Sequence, residues 1–472
     1  MLGLIYAFLI SYPIAFNGYF EGEYVAQKSR LPVRWDMWNP KNYFEMKFSM
    51  NPSPGVTGFF SLSALSNSNA MRFFMNQGHL TYRTSNTEIT IFSREDRFWI
   101  SSPLLFLVNT DRVKDDAYGP KAEGLRFDVW EWKGFYGTLI ASKFRTWDGE
   151  AYLGSLARKF GDKFEIGTIY LKKDWRGTVI TPSFNQVISF NGRLHIKGPL
   201  SMRFEIANSV HPSQATTKRS DDYAYEVEFR RIRLKDLSIA WSIFNYGYDF
   251  IDEFSNKFNM NFDREFDRRG VYGEFIYLMP YKAVNLIYKT KYWRSRFDET
   301  KPGMPLPYEY SKWWNYGELY VEYYGGVSSK FFIESTRDTA ETWNHLFFEI
   351  GGENNLMKLR LQYKLMDLGI NRHGQTVFYS IGERNLIGAE VRVNLTQNLF
   401  FYSRAAVGMG TGRSWESLFM QLGYRGIKNT EIFLEYGEPG HTDGDLVNDW
   451  DFSNNPYLRT DDKVKLLVKY WF

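Results

Sequence analysis

The ten residues that end the chain, Lys463-Val-Lys-Leu-Leu-Val-Lys-Tyr-Trp-Phe472, alternate apolar and polar with a period of two. Successive strand side chains point to opposite faces, so Val464, Leu466, Val468, Tyr470 and Phe472 share one face while Lys463, Lys465 and Lys469 share the other. Such a strand has one oily side and one wet side. It cannot satisfy its own backbone hydrogen bonds, so many similar strands must stand beside it.

The rest of the sequence supplies them. Phe44, Met46, Phe48 and Met50 alternate with Glu45, Lys47 and Ser49, and Tyr223, Tyr225, Val227 and Phe229 alternate with Ala224, Glu226, Glu228 and Arg230. Met357, Leu359, Leu361, Tyr363 and Leu365 alternate with Lys358, Arg360, Gln362 and Lys364. The pattern predicts about 24 strands, within roughly 22 to 26, each near the length that a tilted strand needs to cross a hydrocarbon layer. Short links at Asn51 to Gly55, Thr84-Ser85, Lys133-Gly134, Lys197-Gly198 and Gly325-Gly326 alternate with links expected to be long. The long ones include Lys28 to Pro40, Glu95 to Glu123, Ser209 to Asp221, Tyr248 to Arg268, Ser295 to Lys312, Asp367 to Gly382 and Glu438 to Asp461.

Composition narrows the class further. Aromatic residues make up 18% of the chain, with 40 Phe, 32 Tyr and 15 Trp, although the hydrophobic total is an ordinary 44%. Rings in that number suit a lipid-facing surface with interfacial girdles. There is no cysteine, which excludes disulfides, thiolate metal sites and thiol catalysis. The net charge is only +4, from 58 basic and 54 acidic residues, so no global field points to nucleic acid. Met1 to Phe16, MLGLIYAFLISYPIAF, has the length of a signal-peptide core and is too short to span a bilayer comfortably as a helix. We read 1–16 as a signal peptide and 17–472 as one transmembrane β-barrel domain with inserted external loops. No basic residue precedes the apolar run, and a buried first strand is the other reading.

The last strand, with its terminal Phe472 after alternating apolar residues, resembles the final strand of bacterial outer-membrane β-barrels. That resemblance implies an all-β fold: one large antiparallel barrel with short periplasmic turns and long external loops, in the outer membrane of a bacterial cell. It also implies outer-membrane lipid and the barrel-assembly machinery as partners, with Val464, Leu466, Val468, Tyr470 and Phe472 as the assembly signal. A homo-oligomer is compatible with it. In general bacterial porins the third external loop folds into the channel, and the link from Arg94 to Gly119, with Phe98 to Ile100 and Leu104 to Val108, holds the corresponding position. Trp99, Asp111, Arg112, Lys114, Asp115 and Asp116 are the constriction candidates, a loop packed on the rim being the alternative. The porin loop motif is absent, so only the architecture carries over.

About 24 tilted strands enclose a bore too wide for side chains to fill. Its expected lining is mixed in charge: Arg126, Arg203, Glu205, Glu226, Arg230, Glu318, Tyr320, Glu322, Lys358, Arg360, Lys364, Glu390 and Arg392. The expected function is an outer-membrane channel for passive or weakly selective diffusion of small hydrophilic solutes, oligosaccharides among them. A sugar track would use Trp130, Trp132, Trp314, Tyr316, Tyr320 and Tyr324 against a girdle role for the same rings. A polysaccharide or polymer export channel, and a surface binding or structural barrel with a closed pore, are the alternatives. A receptor with a plug domain is disfavoured, because strands start directly after the presumed leader.

No cofactor is called for. Calcium bound by loop carboxylates, Asp249, Asp252, Glu253, Asp263, Glu265 and Asp267 or Asp443, Asp445, Asp449 and Asp451, is the one option, without EF-hand spacing. The six histidines lie in no HExxH or GxSxG context, so no enzyme is expected. A β-propeller of six blades is the soluble rival, but the repeat it requires is missing.

Overall fold

The computed structural model describes residues 14–30, 33–67, 70–95, 97–108, 122–144, 149–175, 184–197, 200–212, 219–255, 257–258, 265, 267–279, 283–297, 305–323, 325–339, 341–372, 383–410, 413–437 and 463–472. The strands in chain order are β1 (Ile14–Arg30), β2 (Val33–Ser53), β3 (Val56–Asn67), β4 (Ala70–Arg83), β5 (Thr87–Ser93), β6 (Ala122–Trp132), β7 (Phe135–Phe144) and β8 (Gly149–Phe160). Then come β9 (Phe164–Trp175), β10 (Phe184–Lys197), β11 (Leu200–Pro212), β12 (Arg219–Leu234), β13 (Leu237–Tyr246), β14 (Arg268–Leu278), β15 (Val284–Phe297) and β16 (Pro305–Tyr323). The last are β17 (Val327–Asp338), β18 (Glu341–Glu353), β19 (Met357–Arg372), β20 (Arg384–Asn394), β21 (Leu399–Gly410), β22 (Arg413–Tyr424), β23 (Thr430–Tyr436) and β24 (Lys463–Trp471).

Each strand pairs antiparallel with its chain neighbours, and β1 pairs with β24 from Tyr19 opposite Trp471 to Gln27 opposite Lys463, which closes a 24-stranded sheet. Closure leaves no sheet edge with unpaired backbone groups, the condition for crossing lipid as strands. A cylinder of this strand number is roughly 45 Å across between backbones. A single closed sheet is not a set of propeller blades.

Two faces follow from the alternation. On β19, Leu359, Leu361 and Tyr363 are exposed, whereas Gln362 and Lys364, which alternate with them, are buried. Large apolar side chains are exposed in the same way around the wall, among them Phe190, Ile206, Tyr225, Ile243, Tyr288, Trp313, Phe331, Ile387 and Leu434. Such an apolar surface is stable against lipid and not against water.

At the seam, Phe472 exchanges backbone hydrogen bonds with Gly18 (2.9 and 3.1 Å), and its ring stacks on Phe44 at 5.7 Å. A Cβ at Gly18 would lie 2.0 Å from that ring, so only glycine admits it. Gly18→Val and Phe472→Ala should each lower the temperature at which the folded band is lost in heat-modifiable gel mobility. The double variant should lose less than the sum, because both changes remove the same packing.

Four links differ from expectation. Lys28 to Pro40, Ser209 to Asp221 and Ser295 to Lys312 are mostly continued strand, since β1 runs to Arg30 and β2 resumes at Val33, β11 runs to Pro212, and β16 starts at Pro305. Asp367 to Gly382 likewise begins as strand, with β19 reaching Arg372. Strand pairing continues above the lipid because backbone bonds do not depend on which side chains face water, and the polar sequence there hides the continuation. The apolar run 1–16 also overlaps the wall, β1 starting at Ile14; residues 1–13 lie outside those described.

Candidate functional site

The link after β5 turns into the bore. Its Glu95 carboxylate accepts from His79 Nδ1 and Arg97 Nε, both at 2.7 Å. Burial would raise the Glu95 pKa, yet the His79 and Arg97 contacts hold it below the usual carboxylate value. Phe98, Ile100, Leu105 and Leu107 then pack, almost without exposure, in one cluster with Phe92, Ala122, Ile140, Leu153 and Ile169 of the wall, and Leu104 is buried as well. Burial of five large apolar groups drives the segment inward. Phe106 is 62% exposed and has a φ of 53°, a strained conformation for a bulky residue.

Two buried charges pin this segment. Arg126 forms a forked pair with Asp128 (2.6 and 2.8 Å), donates through Nη1 to the carbonyls of Arg97 and Trp99, and lies 3.8 Å from the Trp99 ring centre. Glu205 accepts from the backbone N–H groups of Leu104 and Leu105 and from the hydroxyls of Ser102 and Ser189, each at 2.9 Å. Both were expected to line the bore in contact with water. They face it but are only 2% and 1% exposed, because the segment they hold covers them. Trp99 lies on the open side of the segment; Asp111, Arg112, Lys114, Asp115 and Asp116 lie outside the described residues.

A second inward segment follows β13. Phe250, Ile251, Phe254 and Phe258 are buried, and Phe250, Phe254 and Phe258 join one continuous apolar core with the first segment and with Leu171, Val187, Ala207, Ala224, Phe244, Tyr246 and Trp293. Backbone contacts fix it. Asp249 N–H donates to Asp222, Ile251 N–H to Ser209 Oγ and Glu253 N–H to Asn185 Oδ1, while His211 Nε2 meets the Asp249 carbonyl at 2.8 Å. The carboxylates of this link suggest calcium in the sequence. The apolar signal was nonetheless present, with phenylalanines at 250, 254 and 258 in a link that should be polar.

The carboxylates of this segment have other partners. Glu265 pairs with Lys257, Arg268 and Lys291, and although burial pushes its pKa up, those cations bring it down to about 2. Asp252 is fully buried, its Oδ1 accepting from Phe254 N–H and its Oδ2 without a partner, and burial raises its pKa well above the ordinary value. Among the described residues no group of histidines and carboxylates is gathered for a metal ion. Asp263 and the acids at 443, 445, 449 and 451 lie outside them.

Both segments cover the wall from β5 to β15. Elsewhere the inward face carries paired charges: Lys330 with Glu318, Lys358 and Arg360 with Glu390, Lys465 with Glu435, and Lys469 with Glu21. Arg203 and Arg230 share Glu228, Glu226 bonds Tyr246 and Lys257, and Arg392 lies 4.6 Å from the Phe400 ring. Tyr320 and Glu322 alternate with exposed Leu319 and Tyr323, which places them inward with Glu318, and Lys364 is buried beside Phe347. Trp314, Tyr316, Phe332 and Phe347 form a ring ladder with centre spacings of 6.1, 5.4 and 4.6 Å. Tyr324 lies outside the described residues. Under the first segment a cleft of about 400 Å³ is lined by Trp99, Trp130, Tyr136, Glu165, Asn191 and Arg193.

Solved structures share this architecture. A chain of the E. coli P pilus tip assembly intermediate PapC-PapD-PapK-PapG superposes with a TM-score of 0.56 over 98% of this chain, at 8% identity. This chain spans 61% of that one. The alcaligin outer-membrane receptor FauA from Bordetella pertussis superposes at 0.50, covering 97% of this chain and 76% of its own, at 9% identity. The fold is that of a bacterial outer-membrane β-barrel. At such identities the likeness extends to the fold alone. No protein-family model and no curated protein sequence matches the chain.

Proposed function

We propose that this outer-membrane barrel is a channel for passive or weakly selective diffusion of small hydrophilic solutes, narrowed from one side. The observation that carries the reading is the asymmetry of the bore. The inward segments lie on the β5–β15 wall, and the described wall opposite them presents charged pairs toward the interior of a cylinder too wide for side chains to fill. Carboxylates and cations kept in pairs on that face suit a hydrated interior rather than a dry one.

Because Glu318, Glu390, Glu435 and Glu21 each sit beside a base, that lining has little net field, and solutes are sorted by size more than by charge. Under this reading residues 1–13 belong to a leader, the terminal strand with Phe472 is presented to the barrel-assembly machinery, and the wall contacts outer-membrane lipid. The test is reconstitution into planar bilayers. Conductance on the order of a nanosiemens in molar salt is expected, with a cation-to-anion permeability ratio within about threefold of unity. A barrel that stays silent across voltages, or that selects one ion sign strongly, overturns the reading.

A further inference from the structure

We infer that the cleft under the first inward segment binds a neutral saccharide. The inference rests on the channel reading only for the ligand's route to the cleft. A volume of about 400 Å³ accommodates one or two pyranose rings. Two indoles line it, and both are held from behind by arginines. Arg126 lies 3.8 Å from the Trp99 ring centre and bonds the Trp99 carbonyl, and Arg83 lies 4.7 Å from the ring centre of Trp130.

Trp99 is nonetheless 60% exposed. A buried arginine with a forked carboxylate partner therefore holds an apolar ring facing the cleft. Such a ring contributes little to the fold, and fixing it beforehand lowers the ordering cost of anything that stacks on it.

The polar groups around the rings select the ligand. The side chains of Asn191 and Arg193 make no hydrogen bond, ion pair or ring contact within the described residues, and Glu165, which also faces Tyr136, stands opposite Arg193 in the β9–β10 register. They offer a donor and acceptor, a donor, and an acceptor to one cleft. The remaining charges are matched: Asp128 to Arg126, and Arg203 to Glu228. A flat apolar solute would leave the Asn191 and Arg193 side chains unpaired, and an acidic one would meet Glu165. A sugar ring has a C–H face for the indoles and hydroxyls at its rim that both donate and accept.

The experiment uses the full chain, folded in a detergent without a sugar headgroup. Saturation-transfer NMR and calorimetry are run with maltotriose and cellotriose as neutral probes and trigalacturonate as the acidic one. At least one neutral trisaccharide should bind, Trp99→Ala should weaken it about tenfold and Asn191→Ala severalfold. Trp313→Ala, on the lipid face, should leave binding unchanged. The inference is overturned if neither neutral probe binds, if binding ignores Trp99→Ala, or if trigalacturonate binds more tightly. Conductance of the same preparation separates the two ideas. A silent barrel that binds contradicts the channel and not the cleft, and a conducting barrel that does not bind contradicts the cleft alone.

Discussion

Replacing Glu205 with alanine together with Arg126 by methionine should raise single-channel conductance about twofold or more, with added slow fluctuations between levels. The Glu205 carboxylate accepts four hydrogen bonds from the first inward segment and its wall, two of them from consecutive backbone N–H groups. Removing it strands buried donors at about 1 to 3 kcal/mol each. Arg126→Met leaves Asp128 buried without its forked cation, a further cost on the order of 3 to 5 kcal/mol. The apolar contacts of Phe98, Leu105 and Leu107 favour docking at about 1.5 to 3 kcal/mol per side chain, so losing one pin loosens the segment and losing both releases it. The wall keeps its backbone ladder, and the folded band in gels should persist. Conductance unchanged in a folded double variant would show that the segment does not narrow the path.

Acidification from pH 7 to 5 should lower conductance by strengthening the docking of the second segment. Asp252 is raised by burial first; the Phe254 N–H and Lys173 oppose the rise, and Glu253 and Glu205 add to it. A carboxyl raised above its ordinary 3.8 contributes docking stability that is complete below that value and lost as pH rises through the docked pKa. Glu265 acts in the opposite sense. Held at about 2, it contributes stability above its ordinary 4.5 that disappears only as pH falls from there toward 2. From pH 7 to 5 Glu265 stays ionised, while Asp252 changes the docked ratio by up to about tenfold per pH unit within its window. Asp252→Asn, neutral at every pH, should flatten the profile at the low-conductance level. A profile identical to that of the parent would remove Asp252 from the mechanism.

The wall was legible because a barrel writes its two environments directly into the sequence. Leu359 against Arg360, or Val468 against Lys469, needs no distant information to be assigned to lipid or bore. The first inward segment was legible for the same reason inverted: Leu104 and Leu105 have no place in a hydrated loop. The second escaped because its acids drew attention, and the packing of Phe250 and Phe254 on Leu171 and Val187 depends on strands about 60 to 80 residues distant in sequence, which no local pattern reports. Arg126 and Glu205 lie under the first inward segment, which their position in an alternating strand does not report. Alternation tells which way a side chain points and not what folds over it. The long strand ends near Lys28 and Pro305 were missed because pairing outside the lipid leaves no apolar alternation.

The absence of native cysteine makes a direct test of the two-faced wall available. Single cysteines are placed along β19 in reconstituted protein, Lys358→Cys and Arg360→Cys on one face and Leu359→Cys, Leu361→Cys and Tyr363→Cys on the other. The first pair should react with a charged, membrane-impermeant maleimide. The other three should resist it and, once labelled with a small fluorophore before reconstitution, should be quenched by a lipid-dissolved nitroxide. Equal reaction on both faces, or nitroxide quenching at 358 and 360, would contradict a bore filled with water and a wall bathed in lipid.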